Sequence, residues 1–286
     1  MDTVIEVHEM TRRYGGYVAV DKLNLTVRAG EIYGLLGTNG AGKTSTLEVM
    51  EGLARPSEGT VRISGMDPVR ERAKVRPHLG IMLQSGGLPQ ALTVAESLEM
   101  WAGTCSTPRP IAEVLEEVQL SHRADVKVGA LSGGEQRRLD LACAVVGDPA
   151  VLFLDEPTTG LDPESRHRVW GMLEEMKRRG VTMMLTTHYL DEAEQLCDRL
   201  SIMDGGRIEC EGTVAELTAR EPAHLSYRRD GELVNIPTFD LQGETHALLT
   251  WAHDNNVVLD SFAAQPATLE HVFLRIAGDN AKEVTR

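Results

Sequence analysis

The chain has 286 residues, of which 29 are basic and 43 acidic, so its formal net charge is −14. Hydrophobic residues account for 42% and charged residues for 25%, a balance that excludes disorder of the whole chain and predicts one large domain, or one domain with a small annex. The acidic balance disfavours non-specific binding of DNA or RNA, and no apolar run approaches the roughly 18 residues of a membrane span. The chain starts with the acidic segment Met1 to Glu6, which does not match a secretory signal, so we expect a cytoplasmic protein.

The first part of the chain predicts strands that lead into and out of a Gly-rich loop. Alternating or continuous apolar residues are typical of strands, and a helix is expected to follow the loop as far as Met50. The predicted strands cover residues 3–8, 24–36 with a break at Gly30-Glu31, 59–63 and 79–83.

The middle of the chain is predicted to be helical at first and then to alternate between strand and helix. Residues 93 to about 147 contain two capping-box patterns, Thr93 to Glu96 and Ser132 to Glu135. The wholly apolar run Val151–Leu154 is typical of a buried parallel strand. This alternation predicts an α/β fold with a mostly parallel sheet and helices on both faces. The later elements are predicted at Glu164–Arg179, Thr182–Thr186, Leu190–Cys197, and as two strands within residues 199–213.

The pattern changes after Glu216 to short strands and two short helices, so we place a domain boundary near residue 215. The expected organisation is a large domain at 1–215, with a helical subdomain at about 86–148, and a small α+β C-terminal annex at 216–286. An apolar stripe in the annex should pack on strands around 233–236 and 257–259. The stripe consists of Leu269, Val272, Phe273 and Ile276.

The Gly-rich loop matches the phosphate-binding pattern GxxxxGK[ST] in its required context, between an apolar strand and a helix. Glycines allow successive backbone N–H groups to face one concavity, and the helix N-terminus adds partial positive charge. Lys43 is a point charge for the β- and γ-phosphates of a nucleotide, and the Thr44 hydroxyl is a ligand for Mg²⁺. The predicted nucleotide-binding set is Gly37, Thr38, Asn39, Gly40, Ala41, Gly42, Lys43, Thr44 and the next residue, Ser45.

Two carboxylates follow the apolar strand at 151–154 and supply the acidic complement of this loop. Ligands of such sheets bind at the carboxyl edge, and successive side chains of a strand point to opposite sides. We therefore predict that Asp155 binds Mg²⁺ and that Glu156 is the base for an attacking water.

A second anion site is predicted at the segment Ser132-Gly133-Gly134-Glu135. A capping box explains Ser132 and Glu135, but it does not explain two glycines in a first helical turn, where each costs up to ~1 kcal/mol relative to alanine. Glycines there remove side chains that would keep a phosphate away from the helix N-terminus.

With these motifs, residues 3 to about 216 resemble the ATP-binding subunits of ABC transporters. The resemblance implies that Tyr14 stacks on adenine and that Gln84 links Mg²⁺ to the membrane subunit. It also implies that Ser132, Gly133 and Gly134 face the γ-phosphate bound by the opposite subunit of a homodimer.

Two further positions complete the set that this resemblance implies. Asp162, in Gly160-Leu161-Asp162, matches the loop that couples the two sites, and His188 matches the switch histidine that acts with Glu156 and Lys43 in catalysis. Thr38 departs from the family, which commonly has proline there. Because proline fixes φ and lacks an N–H, the threonine is expected to loosen the loop slightly.

Three segments are similar to the ATPases of drug-resistance exporters: 136–142, 157–163 and 268–274. The implied function is a Mg²⁺-dependent ATPase that drives a separate transmembrane permease and lies on the inner face of the cell membrane through that permease alone. Its cargo would be drugs or other amphipathic molecules. A soluble ABC-type ATPase, for example in cluster assembly, and a regulatory binder that never hydrolyses ATP are the alternatives. Intact Glu156 and His188 disfavour the second.

Overall fold

The structure is a computed structural model that describes residues 2–84, 86–229 and 231–283. The strands are β1 (Thr3–Tyr14), β2 (Tyr17–Arg28), β3 (Ile32–Gly37), β4 (Glu58–Ile63), β5 (Leu79–Met82), β6 (Val151–Asp155), β7 (Thr182–Thr187), β8 (Arg199–Asp204), β9 (Arg207–Gly212), β10 (Ala223–Arg229), β11 (Glu232–Thr238) and β12 (Asp260–Gln265). The helices are α1 (Lys43–Met50), α2 (Arg72–Val75), α3 (Val94–Ala102), α4 (Ile111–Glu117), α5 (Gly133–Val145), α6 (Pro163–Arg178), α7 (Leu190–Leu196), α8 (Val214–Thr218), α9 (Leu241–Asp254) and α10 (Leu269–Glu283).

The chain divides into two units, one through Glu211 and one from Gly212. The first is built on a six-stranded sheet with the order β5-β6-β7-β3-β8-β9, in which β5, β6, β7, β3 and β8 run parallel. Because β3, β6 and β7 are buried along their whole length, this sheet is covered on both faces. The predicted α/β class with a mostly parallel sheet is confirmed.

Alternate residues of β6 show how the layers are arranged. Leu152 and Leu154 belong to the apolar core that packs on helices α3, α4, α5 and α6. Val151 and Phe153 belong to the core on the other face, which is shared with the antiparallel sheet β2-β1-β4. The sheet is therefore sandwiched between a helical layer on one face and, on the other, a layer made of α1 and the antiparallel sheet.

Both predicted capping boxes are confirmed. Thr93 accepts from the Glu96 backbone N–H at 3.2 Å, and Glu96 accepts from the Thr93 N–H at 2.8 Å. Ser132 and Glu135 make the same reciprocal pair at 3.3 and 2.8 Å. These boxes define the starts of α3 and α5 because each satisfies two backbone donors that the helix itself leaves free.

The second unit contains the sheet β11-β10-β12 with α8, α9 and α10. Leu269, Val272 and Ile276 of the predicted stripe are buried. The strand expected at 257–259 is wrong, because the backbone that pairs with β10 is β12, from Asp260 to Gln265. Val257 instead lies in the connection after α9 and donates its N–H back to the Ala252 carbonyl of that helix at 2.8 Å.

None of the helices that the structure describes is both long enough and apolar enough to cross a bilayer.

Candidate nucleotide-binding site

The Gly-rich loop connects the carboxyl end of β3 to α1, as its motif predicts. Gly40 and Gly42 both have positive φ, 83° and 101°. A Cβ at Gly42 would also collide with the carbonyl oxygen of Ala19. Glycine at position 42 is therefore required by both the backbone conformation and the close approach of β2.

Lys43, the first residue of α1, is folded back over this loop and is only 6% exposed. Its Nζ donates to the carbonyl oxygens of Gly37 at 2.7 Å and Thr38 at 3.1 Å. Burial lowers the pKa of the ammonium, while the nearby carboxylates of Glu156 and Asp155 raise it. An ammonium carries three donors, so these two bonds leave one for a phosphate oxygen.

Thr44 and Asp155 meet at the carboxyl edge of the sheet. Thr44 Oγ1 donates to Asp155 Oδ2 at 3.2 Å, and the other Asp155 oxygen accepts from the Thr186 hydroxyl. Mg²⁺ prefers oxygen ligands and takes one or two protein groups together with phosphate oxygens, so this donor set fits the ion. No cluster of three His, Cys, Asp or Glu side chains suited to a metal occurs among the residues that the structure describes.

Glu156 leaves β6 in a left-handed conformation, with φ of 48°, and its N–H donates to the Thr186 carbonyl at 3.1 Å. Its Oε2 accepts from Gln84 Nε2 at 3.2 Å and from Thr159 Oγ1 at 3.1 Å. Its Oε1 lies 3.2 Å from His188 Nδ1. The structure thus brings together Glu156, Gln84 and His188, and the Gln84 amide contacts Glu156 rather than Thr44 or Asp155.

A cleft of about 430 Å³ joins these groups. Its lining includes Tyr14, Tyr17, Asn39, Gly40, Gly42, Lys43, Thr44, Ser45, Gln84 and Glu156. Two other clefts, of about 320 and 380 Å³, lie elsewhere on the first unit and contain none of the predicted site residues. The chemistry of its lining distinguishes the first cleft, since of these three it alone contains residues of the phosphate loop and of the acidic strand end.

Tyr14 lies at the end of β1 and is 43% exposed. Its hydroxyl donates to Glu48 Oε2 at 3.0 Å and lies 3.3 Å from Ser45 Oγ, while the Arg12 guanidinium carbon is 4.4 Å from the ring centroid. These contacts orient an accessible aromatic ring beside the phosphate loop, the position that stacking on a base requires.

The segment at the start of α5 does not line the cleft. Ser132 and Gly133 are exposed, and a Cβ on Gly133 would meet no described atom within 4 Å outside its chain neighbours and the backbone of its own helix, so packing against the rest of the protein does not require glycine there. Glu135 is occupied by the capping box and by an ion pair with Arg123 at 2.7 Å. Its pKa is lowered by the backbone N–H of Ser132 and by Arg123.

Asp162 is the N-cap of α6, where its Oδ1 accepts from the Ser165 N–H at 2.9 Å. Hydrogen bonds from the Ser165 side chain and from its backbone N–H lower the pKa of the Asp162 carboxyl. The aspartate is thus held at a helix start and is not among the residues that line the cleft.

Three residues of the site escaped the sequence analysis. The hydroxyls of Thr186 and Thr159 donate to Asp155 and Glu156, respectively, and no sequence motif predicts these contacts. Arg137 of α5 is buried and bonds to backbone carbonyls on both sides of the site. The sequence pattern that could have identified Arg137 is its position one turn before the buried Leu141, on a helix face where an apolar residue is expected.

A phosphate loop follows β3, and two carboxylates lie at the end of β6, with β7 between those two strands. This arrangement defines a P-loop ATPase. The sequence profile described as "ABC transporter" matches residues 20–159, and a profile described as "ABC transporter domain-containing protein-like, C-terminal domain" matches residues 213–268. The chain is 39% identical to the Nod factor export ATP-binding protein I of Burkholderia orbicola (strain AU 1054), over 96% of this chain and 97% of that protein. It is 36% identical to the Daunorubicin resistance ATP-binding protein DrrA3 of Streptomyces coeruleorubidus, over 98% of each.

Solved structures agree with this assignment. An ATP-binding subunit of an ABC transporter is similar with a TM-score of 0.70 and 28% identity, over 76% of this chain and 93% of that one. A dimeric bacterial ABC transporter cassette gives 0.65 and 25% identity, over 73% and 98%. The chain belongs to the ABC transporter family, as an ATP-binding subunit that hydrolyses ATP with Mg²⁺.

Proposed function

We propose that this chain powers an exporter of drugs or other amphipathic molecules by driving a separate transmembrane permease. One observation carries the proposal: Gln84 and Glu156 line one cleft with Lys43, and His188 lies 3.2 Å from Glu156, whereas Ser132 and Gly133 are exposed and outside that cleft. A single chain therefore offers half of each of two nucleotide sites.

The residues of the cleft have distinct roles in this proposal. Lys43 and the loop N–H groups bind the β- and γ-phosphates, and Tyr14 stacks on adenine. Thr44 and Asp155 would hold Mg²⁺, which would supply positive charge to the phosphate oxygens. Gln84, whose amide contacts Glu156 in this structure, is proposed to reach the same ion when it is bound. Glu156 accepts a proton from the attacking water, and His188, hydrogen-bonded to that carboxylate, orients it.

The second half of each site comes from another copy of the chain. The bare surface at Gly133 leaves the start of α5, apart from the two amides that the capping box satisfies, open to an incoming γ-phosphate, and Asp162 is proposed to lie near the contact between the two copies. The dimeric cassette among the similar structures supports this arrangement. ATP would then act as the contact between two copies, and its hydrolysis would release them.

The names of the similar proteins support export, since one is a Nod factor export protein and another a daunorubicin resistance protein. The similarity extends through the annex, so it is not confined to the common ATPase core. The chain would lie on the inner face of the cell membrane through the permease, with no nucleic-acid partner.

The test is transport in cells that produce the chain together with its multi-span permease. Accumulation of a fluorescent amphipathic dye is measured for the wild-type chain and for Lys43→Ala, which should still fold because the lysine binds only loop carbonyls. Export requires lower accumulation with the wild type than with Lys43→Ala. Equal accumulation of every dye tested, with normal ATP hydrolysis by the wild type, would count against the export role and leave the ATPase assignment intact.

A further inference from the structure

One buried arginine connects the two loops that carry Gln84 and Glu156. Arg137 lies in α5, is 7% exposed, and its guanidinium donates to five backbone carbonyls. On one side, Nη1 donates to Leu83 O at 2.8 Å and Gln84 O at 3.2 Å. On the other side, Nη2 donates to Asp155 O at 3.0 Å and Glu156 O at 2.8 Å, and Nε to Pro157 O at 2.7 Å.

The five carbonyl acceptors of Arg137 belong to the two loops whose side chains, Gln84 and Glu156, are hydrogen-bonded to each other. Gln84 Nε2 donates to Glu156 Oε2 at 3.2 Å, so the arginine bonds to the backbone carbonyl of each member of that pair. Because the guanidinium is planar and rigid, it fixes the separation of the two loops as well as satisfying their carbonyls.

A second contact between α5 and the Gln84 loop also holds that loop against the helix. Asp140, one turn further along α5, lies 3.6 Å from the Arg137 Nη1. A Cβ at Gly86 would overlap the Asp140 carboxylate. The loop therefore has no side chain where it approaches α5, and Asp140 helps to orient the guanidinium.

The N-terminus of this same helix is the Ser132 to Gly134 segment, in which Ser132 and Gly133 are exposed and Gly134 is buried. We propose that Arg137 is a positioning residue that holds Gln84 and Glu156 in a fixed position relative to α5. When the N-terminus of α5 binds the nucleotide of a second copy, the position of that helix then determines the geometry of this chain's own attacking-water site. This inference rests on the roles proposed above for Gln84, Glu156 and the Gly133 segment. Arg137 itself contacts neither nucleotide in the proposal.

The test compares Arg137→Lys with Arg138→Lys in the full chain. A lysine keeps the charge beside Asp140 but has a single ammonium, which cannot span five carbonyls on two loops. Arg138 is the matched control: it is on the same helix, 5% exposed, and its Nε donates to Val118 O at 3.1 Å within the helical subdomain. Both variants lose buried arginine bonds, but only the first touches the two loops.

We expect Arg137→Lys to lower kcat for ATP hydrolysis by about tenfold to a hundredfold, the usual cost of a small misplacement of catalytic groups. The Kd for ATP should change by less than about threefold, because the phosphate loop is untouched, and Arg138→Lys should stay within about threefold in kcat. The double variant Gln84→Ala/Arg137→Lys should be no more than about twofold slower than the slower single variant, since both act on one geometry.

Equal kcat for Arg137→Lys and Arg138→Lys would overturn the inference, as would multiplicative losses in the double variant. Thermal unfolding reports whether each variant folds. If Arg137→Lys does not fold, Asp140→Asn takes its place; a kcat lowered about threefold or more supports the inference, and a smaller change contradicts it. Near-normal turnover by Glu156→Gln would instead refute the role of Glu156 itself, which is a different failure.

Discussion

Replacement of Glu156 by glutamine removes the proposed base while leaving the other groups of the cleft unchanged. The side chains have the same shape, so Gln84 and Thr159 can still donate to an oxygen at the position of Glu156 Oε2. The new amide N–H would then face His188 Nδ1, which accepts when the ring is protonated at the other nitrogen. The variant should therefore fold, while losing the group that accepts the proton.

The size of the effect follows from that loss. A positioned general base contributes about 10²–10⁴ in rate, which is roughly 2.7–5.4 kcal/mol of transition-state stabilisation. ATP binding should be retained or tightened, because Lys43 and Thr44 are unchanged and one negative charge beside the phosphates is gone.

The assay is phosphate release at saturating ATP and Mg²⁺, with Kd for ATP measured in parallel. Glu156→Asp is the control, since it keeps a carboxylate but withdraws it by one methylene, and its loss of turnover should be smaller. Turnover by Glu156→Gln within about threefold of the wild type would refute the reasoning, because no base of the usual strength could then have been removed.

Three further predictions concern the surroundings of the cleft and the annex. Thr159→Val, which removes the donor to Glu156 Oε2, should lower kcat about three- to tenfold, whereas Thr159→Ser should stay within about twofold; equal rates for the two would exclude this contact from catalysis. Burial, with the nearby charge of Asp155, raises the pKa of Glu51 from 4.5 to about 7, so its contribution to stability declines as pH rises through that window. Glu51→Gln should therefore increase the free energy of unfolding in urea by ~1–3 kcal/mol at pH 8 and by much less at pH 5, and the same gain at both pH values would contradict the account. A chain that ends at Glu211, the last residue of the first unit, should bind ATP normally but lose co-purification with its permease; retention of the permease would show that the annex has no assembly role.

The parts of the site that were predictable are those whose chemistry is local in sequence. The phosphate loop needs glycines at set offsets between a strand and a helix, and Gly42 shows why: its φ and its approach to Ala19 both exclude a side chain. The capping boxes at Thr93 and Ser132 are equally local, since each involves residues three apart.

The parts that were missed depend on pairing across the chain. Arg137 binds carbonyl groups, which every residue has, so no side-chain pattern marks its acceptors. In the annex the apolar run at 257–259 favoured a strand, but the pairing with β10 selects the more polar 260–265 instead. Backbone hydrogen bonds of the neighbouring strand outweigh local propensity there.

Sedimentation velocity of the Glu156→Gln chain tests most directly whether two copies share each ATP. With ATP and Mg²⁺ the account predicts a dimer. It predicts a monomer when Gly133→Asp is added, because that carboxylate would repel the γ-phosphate of the second copy. A Cβ at position 133 has open space around it, so we expect the variant to fold, and thermal unfolding checks this. A Glu156→Gln chain that stays monomeric with ATP, or one that dimerises equally with Gly133→Asp, would contradict the shared site.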